Sequence, residues 1–442
     1  MGETEGRAAR PRVLAMAEAA NPEQVSVPLV GWSHATALRA VADVHIVTQI
    51  RNRDAFLRAG LSEGADFTAI DSEAVAAPLH RLASRLRGGA GKGWTTVSAI
   101  GALAYPYFEH LVWRRFGPDI RAGRFDIVHR ITPLTPTRPS PIARRTARAG
   151  VPFVLGPLNG GLPWPPGFGD ARHAEREWLS YIRSAYKLLP GRTATLAHAA
   201  AIIAGSRHTA AEIPDRFADK LVYIPENGIL PERFSLPTRP APGSPPRVVF
   251  IGRLVPYKGC DMLIEAAAPL VAAGRLALDI VGDGPMMAEL RALAGSQALG
   301  DGVTFHGWQP HEEVQRIAVG ADLLGFPSVR EFGGGVVLEA MALGVAPLIV
   351  DYGGPAELVT PETGVKIPLG DRASITATLR TELARLTADP VALHAMGIRA
   401  RARVHEKYVW AAKARQTAEV YAWVLGRRDR PDLFPEHGPP RT

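Results

Sequence analysis

A single cysteine in 442 residues, Cys260, excludes an intramolecular disulfide and leaves no thiol cluster for a metal. Such sparing use of cysteine fits a reducing compartment. Lysine is scarce as well. Only seven occur, and arginine supplies the rest of the 51 basic side chains behind a net charge of +8. With abundant alanine, glycine and proline beside it, that excess reads equally as GC-rich coding bias or as service to an anionic ligand or membrane surface. Long apolar runs are missing too. The most apolar stretch, WTTVSAIGALAYPYFEHLVW at 94–113, contains Pro106, Glu109 and His110 and falls short of a clean spanning helix. Acidic residues precede the short apolar run at the N-terminus, the wrong order for a secretory signal. The expectation is a cytoplasmic protein, with peripheral contact at the inner membrane face left open. A hydrophobic content of 46% and a charged content of 21% describe a globular chain long enough for two domains.

What is present is an alternation of short apolar runs with helical patterns. RVLAM (12–16), a helical pattern after Gly31 and VHIVTQ (44–49) open a parallel α/β sheet. FDIVHRI, PFVLGPL, AAIIAGS and LVYIPENG supply further buried strands. Residues 72–123 break the rhythm with arginines set beside aromatics, as in LHRLASRLRGGAGKGW. This insertion is expected to be helical, and serves either as a solvated face or as a basic surface for a lipid or anionic acceptor. PERFSLPTRPAPGSPP (231–246) reads as a stiff linker. A second alternation follows it: RVVFIGRL, LALDIVGDG, VTFHGW, ADLLGFPS, APLIVD and GVKIP as strands. The expected fold is α/β, two Rossmann-like, doubly wound domains. Their bounds are 1–228, a linker at 229–246, 247–408, and a closing helix and tail at 409–442. Ligands of such sheets bind at the carboxyl ends of strands.

Strand ends of the second half are accordingly where chemistry is sought. FIGRLVPYKG sets Arg253 just after a strand and Lys258 at the next helix start. Two cations beside free helix amides suit a diphosphate, although they could equally be surface charges. VGDGP lets backbone approach a ligand at Gly282, or is a plain tight turn. SVREFGGGVVLEAMALG (328–344) is the strongest local signal. Glu331 stands in a loop, Gly333, Gly334 and Gly335 open a helix, and Glu339 sits inside an apolar helix where an unpaired charge is costly. A carboxylate there can accept two hydroxyl hydrogen bonds, such as a ribose offers. Acid/base work by the two glutamates on one glycosidic bond is disfavoured by their split over loop and helix.

Taken in order, IGRLVPYKG, VGDGP, FHGW, FPSVREFGGGVVLEAMALG and GGPAELV resemble the C-terminal domain of the retaining GT-B glycosyltransferases of glycosyltransferase family 4 (glycosyl transferases group 1). The resemblance covers about residues 200–425 and, more loosely, the whole chain. It implies two Rossmann-like domains facing each other across a cleft, with a UDP- or GDP-sugar donor on the second. Arg253 and Lys258, after Gly252, match the diphosphate-binding pair, and Glu339 matches the second glutamate of the E-x7-E motif, which holds the ribose. Glu331 matches the first glutamate and faces the sugar, with the amides of Phe332, Gly333, Gly334 and Gly335 on sugar hydroxyls or phosphate. Gly282, His306 and Gly307 would line the base pocket, and Gly31 corresponds to the glycine loop after the first strand. His129 in DIVHRITP matches a histidine near the donor sugar, or is an ordinary strand-end histidine. GPLNGGLPWPPG (156–167) is similar to GP-x-GGG stretches that border donor or acceptor, and VHEKYVWAAKARQTAEVYAWVL resembles the family's closing helices, with Trp410 at the aromatic position, which implies that 409–442 packs back on the first domain.

The implied reaction is retaining transfer to an acceptor hydroxyl, lipid-linked, polysaccharide or natural-product, with catalysis assigned to His129, Arg253, Lys258 and Glu331. No metal, cofactor or nucleic acid is expected, the cations doing a metal's work. The other class is a catalytically silent nucleotide-sugar-binding protein of the same fold. A phosphorylase of this fold would need a pyridoxal-phosphate lysine in a context the sequence does not offer.

Overall fold

The computed structural model describes residues 10–78, 94–160, 162–165, 167–169, 190–234, 236–239, 241–242 and 244–437, with side chains of 94–103 and 190 excepted. Residues 79–93 of the basic insertion and 170–189 lie outside that set. The chain divides into two compact units: residues 1–161, 176–226 and 410–442 form the first, 162–175 and 227–409 the second.

The first unit is built on seven parallel strands, β1 (Arg12–Ala17), β2 (Asp43–Gln49), β3 (Phe67–Ile70), β4 (Ile127–Thr132), β5 (Phe153–Leu158), β6 (Ala201–Ala204) and β7 (Leu221–Tyr223). Their order is β3-β2-β1-β4-β5-β6-β7, with Val13 opposite Ile127 across the central pair. Side chains of successive strand residues point to opposite faces, and β1 is apolar on both. Leu14 and Met16 join the layer of Phe108 and Val112, whereas Val13, Ala15 and Ala17 join that of Ala35, Leu38 and Tyr421. Helices on both faces are what such a strand requires. β3 was not foreseen, because FTAI is only four residues long and its middle two are half-buried.

The apolar stretch at 94–113 is absorbed by one helix, Trp94–Arg121. Its residues Tyr105, Phe108, Val112, Phe116 and Ile120 recur at helical spacing and are buried in the first unit's core. Glu109 on the same helix accepts from the Ser140 hydroxyl and from the Ile142 amide (3.0 Å), which caps the helix Pro141–Arg148. Burial pushes the Glu109 pKa up. Arg114, Arg115 and Arg121 occupy the helix's exposed side. Among the described residues, no helix is long and apolar enough to cross a membrane.

The second unit has six parallel strands, β8 (Arg247–Ile251), β9 (Ala277–Val281), β10 (Val303–Gly307), β11 (Leu323–Phe326), β12 (Ala346–Val350) and β13 (Val365–Ile367), in the order β10-β9-β8-β11-β12-β13. Strand order reverses between β8 and β11, so the crevice at their carboxyl ends is the topological switch point. Two features bear on the expected bounds. The proline-rich linker is held against the second unit: Phe234 is buried against His311 (5.3 Å between rings), and Arg239 donates to the Gly320 carbonyl (2.8 Å) and pairs with Asp322 (3.5 Å). Residues 162–175 group with the second unit although the sequence puts them amid first-unit strands, because Leu162, Pro163 and Trp164 find their contacts there.

Candidate functional site

Three strand ends meet at the carboxyl edge of the second sheet. β8, β9 and β10 continue their ladder past the strands, from the Gly252 amide to the Val281 carbonyl (3.0 Å), Leu254 to Asp283 (2.9 Å) and Gly282 to Gly307 (2.8 Å). Gly282 is indispensable to that packing: its φ is +137°, and a Cβ there would stand 1.9 Å from the Gly252 carbonyl oxygen. The loops after β8 and β9 thus lie backbone on backbone, leaving their polar groups at the rim.

Arg253 is exposed on that rim, and among the described residues no hydrogen bond or ion pair ties down its guanidinium. Lys258 ends a short 3-10 turn, Pro256–Lys258, and Gly259 then caps the helix Cys260–Ala272 in the left-handed conformation. The Lys258 ammonium lies 4.9 Å from the Phe326 ring and 5.7 Å from that of Tyr257. It donates to the Glu331 carboxylate in a close ion pair whose side chains are 15% and 22% exposed. Glu331 is carried by the loop after β11. The Val329 amide of that loop bonds to the Tyr257 carbonyl (2.9 Å), and the Glu331 carbonyl accepts from the Gly354 amide (3.0 Å). Gly334, at φ +66°, turns the chain into the helix Gly335–Ala342, and a side chain there would press on Leu358 and Pro355. Phe332 and Gly333 stay half-buried at the loop's crest.

Glu339 lies one turn inside that helix, between the buried Leu338 and Ala340. Among the described residues no hydrogen bond or ion pair reaches its carboxylate. Desolvation raises its pKa from 4.5 to about 7, the charge of Arg233 offsetting this only in part. A carboxyl held this way is short of donors, and a pair of hydroxyls would supply them.

Three expected site residues are placed elsewhere. His129 is fully buried within β4, its Nδ1 2.7 Å from the Tyr421 hydroxyl and its Nε2 2.7 Å from the Gly156 carbonyl. Both ring nitrogens are engaged and no substrate can reach them, so the catalytic assignment is withdrawn. Burial lowers its pKa to about 4, which makes it a neutral core imidazole. Gly31 is not in a loop after the first strand but inside the helix Val27–Leu38, buried where a Cβ would meet the Ala19 carbonyl at 2.3 Å. It permits close helix-to-strand packing. His306 holds its imidazole on Asp279 (2.7 Å), which the Arg247 guanidinium also grips, so the ring is engaged in an ion-pair cluster of the sheet. Only the backbone of the His306–Gly307 turn borders the rim. Replacing His129 by phenylalanine strands the Tyr421 hydroxyl and the Gly156 carbonyl, and should cost about 2–4 kcal/mol of stability. Denaturant unfolding measures this, and an unchanged midpoint would refute the structural role.

Two residues with site character escaped the sequence reading. Trp308, which follows Gly307 at the end of β10, is 74% exposed beside the Gly282 turn. Glu18, just after β1, sits at the first sheet's switch point 3.7 Å from Arg138, with its pKa raised by burial. Glu18 has no local motif, and its setting depends on arginines over a hundred residues away.

Comparison with known proteins finds a family likeness within the second unit. Residues 233–402 match the family described as Glycosyl transferases group 1. This chain carries a glycosyl transferases group 1 domain. Among curated relatives, 2-deoxystreptamine glucosyltransferase of Streptomyces kanamyceticus is 29% identical over 243 residues, covering 51% of this chain and 61% of that protein. The chain spans about half to three-fifths of the length of the curated relatives it matches first. Among solved structures, sucrose-phosphate synthase from Thermosynechococcus elongatus superposes with a TM-score of 0.59 at 18% identity, covering 95% of this chain and all of that one. Anabaena HepE in complex with UDP and glucose superposes at 0.55, with 18% identity over 93% of this chain and 99% of that one. The group 1 domain and the unit beside it have the GT-B architecture of two Rossmann-like, parallel-sheet units.

Proposed function

We propose that the protein is a retaining glycosyltransferase that moves a sugar from a nucleoside-diphosphate sugar to an acceptor hydroxyl without a metal. The observation that carries this reading is the Lys258–Glu331 pair on a glycine loop at the switch point, followed by a helix whose first turn ends on Glu339, a carboxylate with no donor among the described residues. An arriving diphosphate competes for Lys258 with Glu331 and takes up Arg253. Glu331, released, turns to hydroxyls of the sugar, and Glu339 accepts from the ribose. The amides of Phe332 to Gly335 and the open start of the helix Cys260–Ala272 add donors of fixed direction.

Transfer on this reading is a front-face displacement. The bond between the anomeric carbon and the leaving phosphate oxygen breaks, the acceptor oxygen bonds to the same face, and its proton passes to the departing diphosphate. The protein's part is alignment and neutralisation of leaving-group charge, which Lys258 and Arg253 provide. The UDP complex of HepE supports a nucleotide donor, and the name of the Streptomyces relative supports a small natural-product acceptor among the alternatives. Acceptor recognition is assigned to the first unit.

Screening UDP- and GDP-sugars by thermal shift tests the donor. A cognate donor at a hundredfold its Kd should stabilise by about 2.7 kcal/mol, and slow hydrolysis to free nucleoside diphosphate should accompany it. Binding without hydrolysis or transfer would favour a silent nucleotide-sugar-binding protein, and no binding at all would sink the assignment.

A further inference from the structure

Residues 162–165 have no role in the reading above, yet they are seated against the loops that carry the site. Leu162 is buried, with its Cδ2 where a Cβ on Gly353 would stand 2.8 Å away, and the Tyr352 hydroxyl donates to the Pro163 carbonyl (2.9 Å). Trp164 stands edge-on to Tyr257, ring centroids 5.9 Å apart and planes at 90°. The Arg330 guanidinium lies 4.7 Å from the centroid of the same indole and 5.3 Å from that of the Phe332 ring. Tyr257 immediately precedes Lys258, and Arg330 immediately precedes Glu331. One side chain therefore touches the residue before each member of the ion pair.

We propose that Trp164 is a positioning residue of the donor site, an indole wedge that fixes the separation of the Lys258 turn from the Glu331 loop and so the angle at which sugar and diphosphate are presented. The inference rests on the donor-site reading and deepens it. The mechanical argument is direct. Among the described residues, the two loops are joined at one end by the amide of Val329 on the Tyr257 carbonyl, with a weaker contact from Ser328 Oγ (3.3 Å), and at the far end by the Lys258–Glu331 ion pair itself. A diphosphate that takes Lys258 from Glu331 breaks that far tie, and the two ends then keep their separation through what fills the angle between them. A flat ring packed against Tyr257 on one edge and a guanidinium on its face does that, and the stacking is directional. A displacement of about 1 Å at a reacting centre can cost two orders of magnitude in rate.

Trp164→Ala and Trp164→Phe, compared with the wild type in three measurements, test this. The first is turnover with saturating nucleotide sugar, the second the Kd for UDP and GDP by calorimetry, and the third the acylation rate of Lys258 relative to Lys220 by peptide mass. Trp164→Ala should lower kcat about a hundredfold while the Kd for the nucleoside diphosphate moves by less than about threefold, since misplacement harms presentation more than attachment. Lys258, loosened from Glu331, should acylate several times faster. Trp164→Phe keeps a ring face for Arg330 and should recover most of both effects. If Trp164→Ala does not fold, Trp164→Leu carries the same readouts. Wild-type turnover, an unchanged Lys258 acylation rate, or a phenylalanine variant no better than alanine overturns the inference. A wild type that binds no UDP- or GDP-sugar instead overturns the donor-site reading, and the wedge then stands or falls on Lys258 acylation alone.

Discussion

Lys258→Ala should lower kcat by about 10²–10³, or about 3–4 kcal/mol of transition-state stabilisation, while the protein stays folded. The stability half of that expectation follows from position: Lys258 ends a surface turn, and its partner Glu331 keeps access to water. The kinetic half follows from the leaving group. A departing diphosphate gains charge at the moment of transfer, and the nearest cation is an ammonium already oriented over two aromatic rings. Alanine also leaves Glu331 without its partner, so a carboxylate then faces the incoming phosphate. Adding Glu331→Gln to Lys258→Ala should therefore restore part of the lost donor affinity, a coupling that a double-mutant cycle measures. Arg253→Ala should act in the same direction but less strongly, since an exposed guanidinium is screened by water. Near wild-type kcat in Lys258→Ala with saturating donor would show that the diphosphate lies elsewhere.

The second large effect is a trade of stability against affinity at Glu339. Its pKa rises on folding from 4.5 to about 7. Between those values the folded chain holds the proton that the unfolded chain has lost, so stability falls as pH rises through this window. The contribution is fully present below about pH 4.5 and gone above about pH 7. Glu339→Gln cannot ionise and should be more stable than the wild type at pH 8, by about 2 kcal/mol after allowance for partial solvent access. The same variant should bind the donor worse. Ribose hydroxyls donate to an ionised carboxylate better than to a carboxylic acid, so wild-type affinity should improve as pH rises to about 7 and then level off, by up to about tenfold per unit below that point. An intact nucleotide sugar is the right probe, because it lacks the terminal phosphate that titrates near pH 6. Glu339→Gln should give a flat, weaker profile. Matching pH profiles and affinities for the two proteins would remove Glu339 from the ribose.

The residues proposed for phosphate and ribose stand out in the chain because each lies in a local motif. Lys258 and Glu339 are each set by a strand end, a few glycines and a helix start within about a dozen residues, and the structure keeps those local settings. His129 was misread for the opposite reason. A histidine at a strand end looks the same whether it faces a crevice or the core, and its partners, Tyr421 and Gly156, come from other parts of the chain. The same holds for the apolar, arginine-flanked stretch at 94–113. Its stripe at Tyr105, Phe108 and Val112 needs a sheet face before it can be recognised as core.

The sequence by itself determined two parallel α/β units and the glycine-rich motifs of the proposed donor site, because buried strands and tight turns are set by residue type and spacing over short spans. Only the tertiary structure decided that Glu331 is paired with Lys258, that Glu339 has no hydrogen-bond donor among the described residues, and that Trp164 bears on both loops. Those facts depend on residues brought together from up to about 170 positions apart, and on a desolvation that exists only once the chain has closed around them.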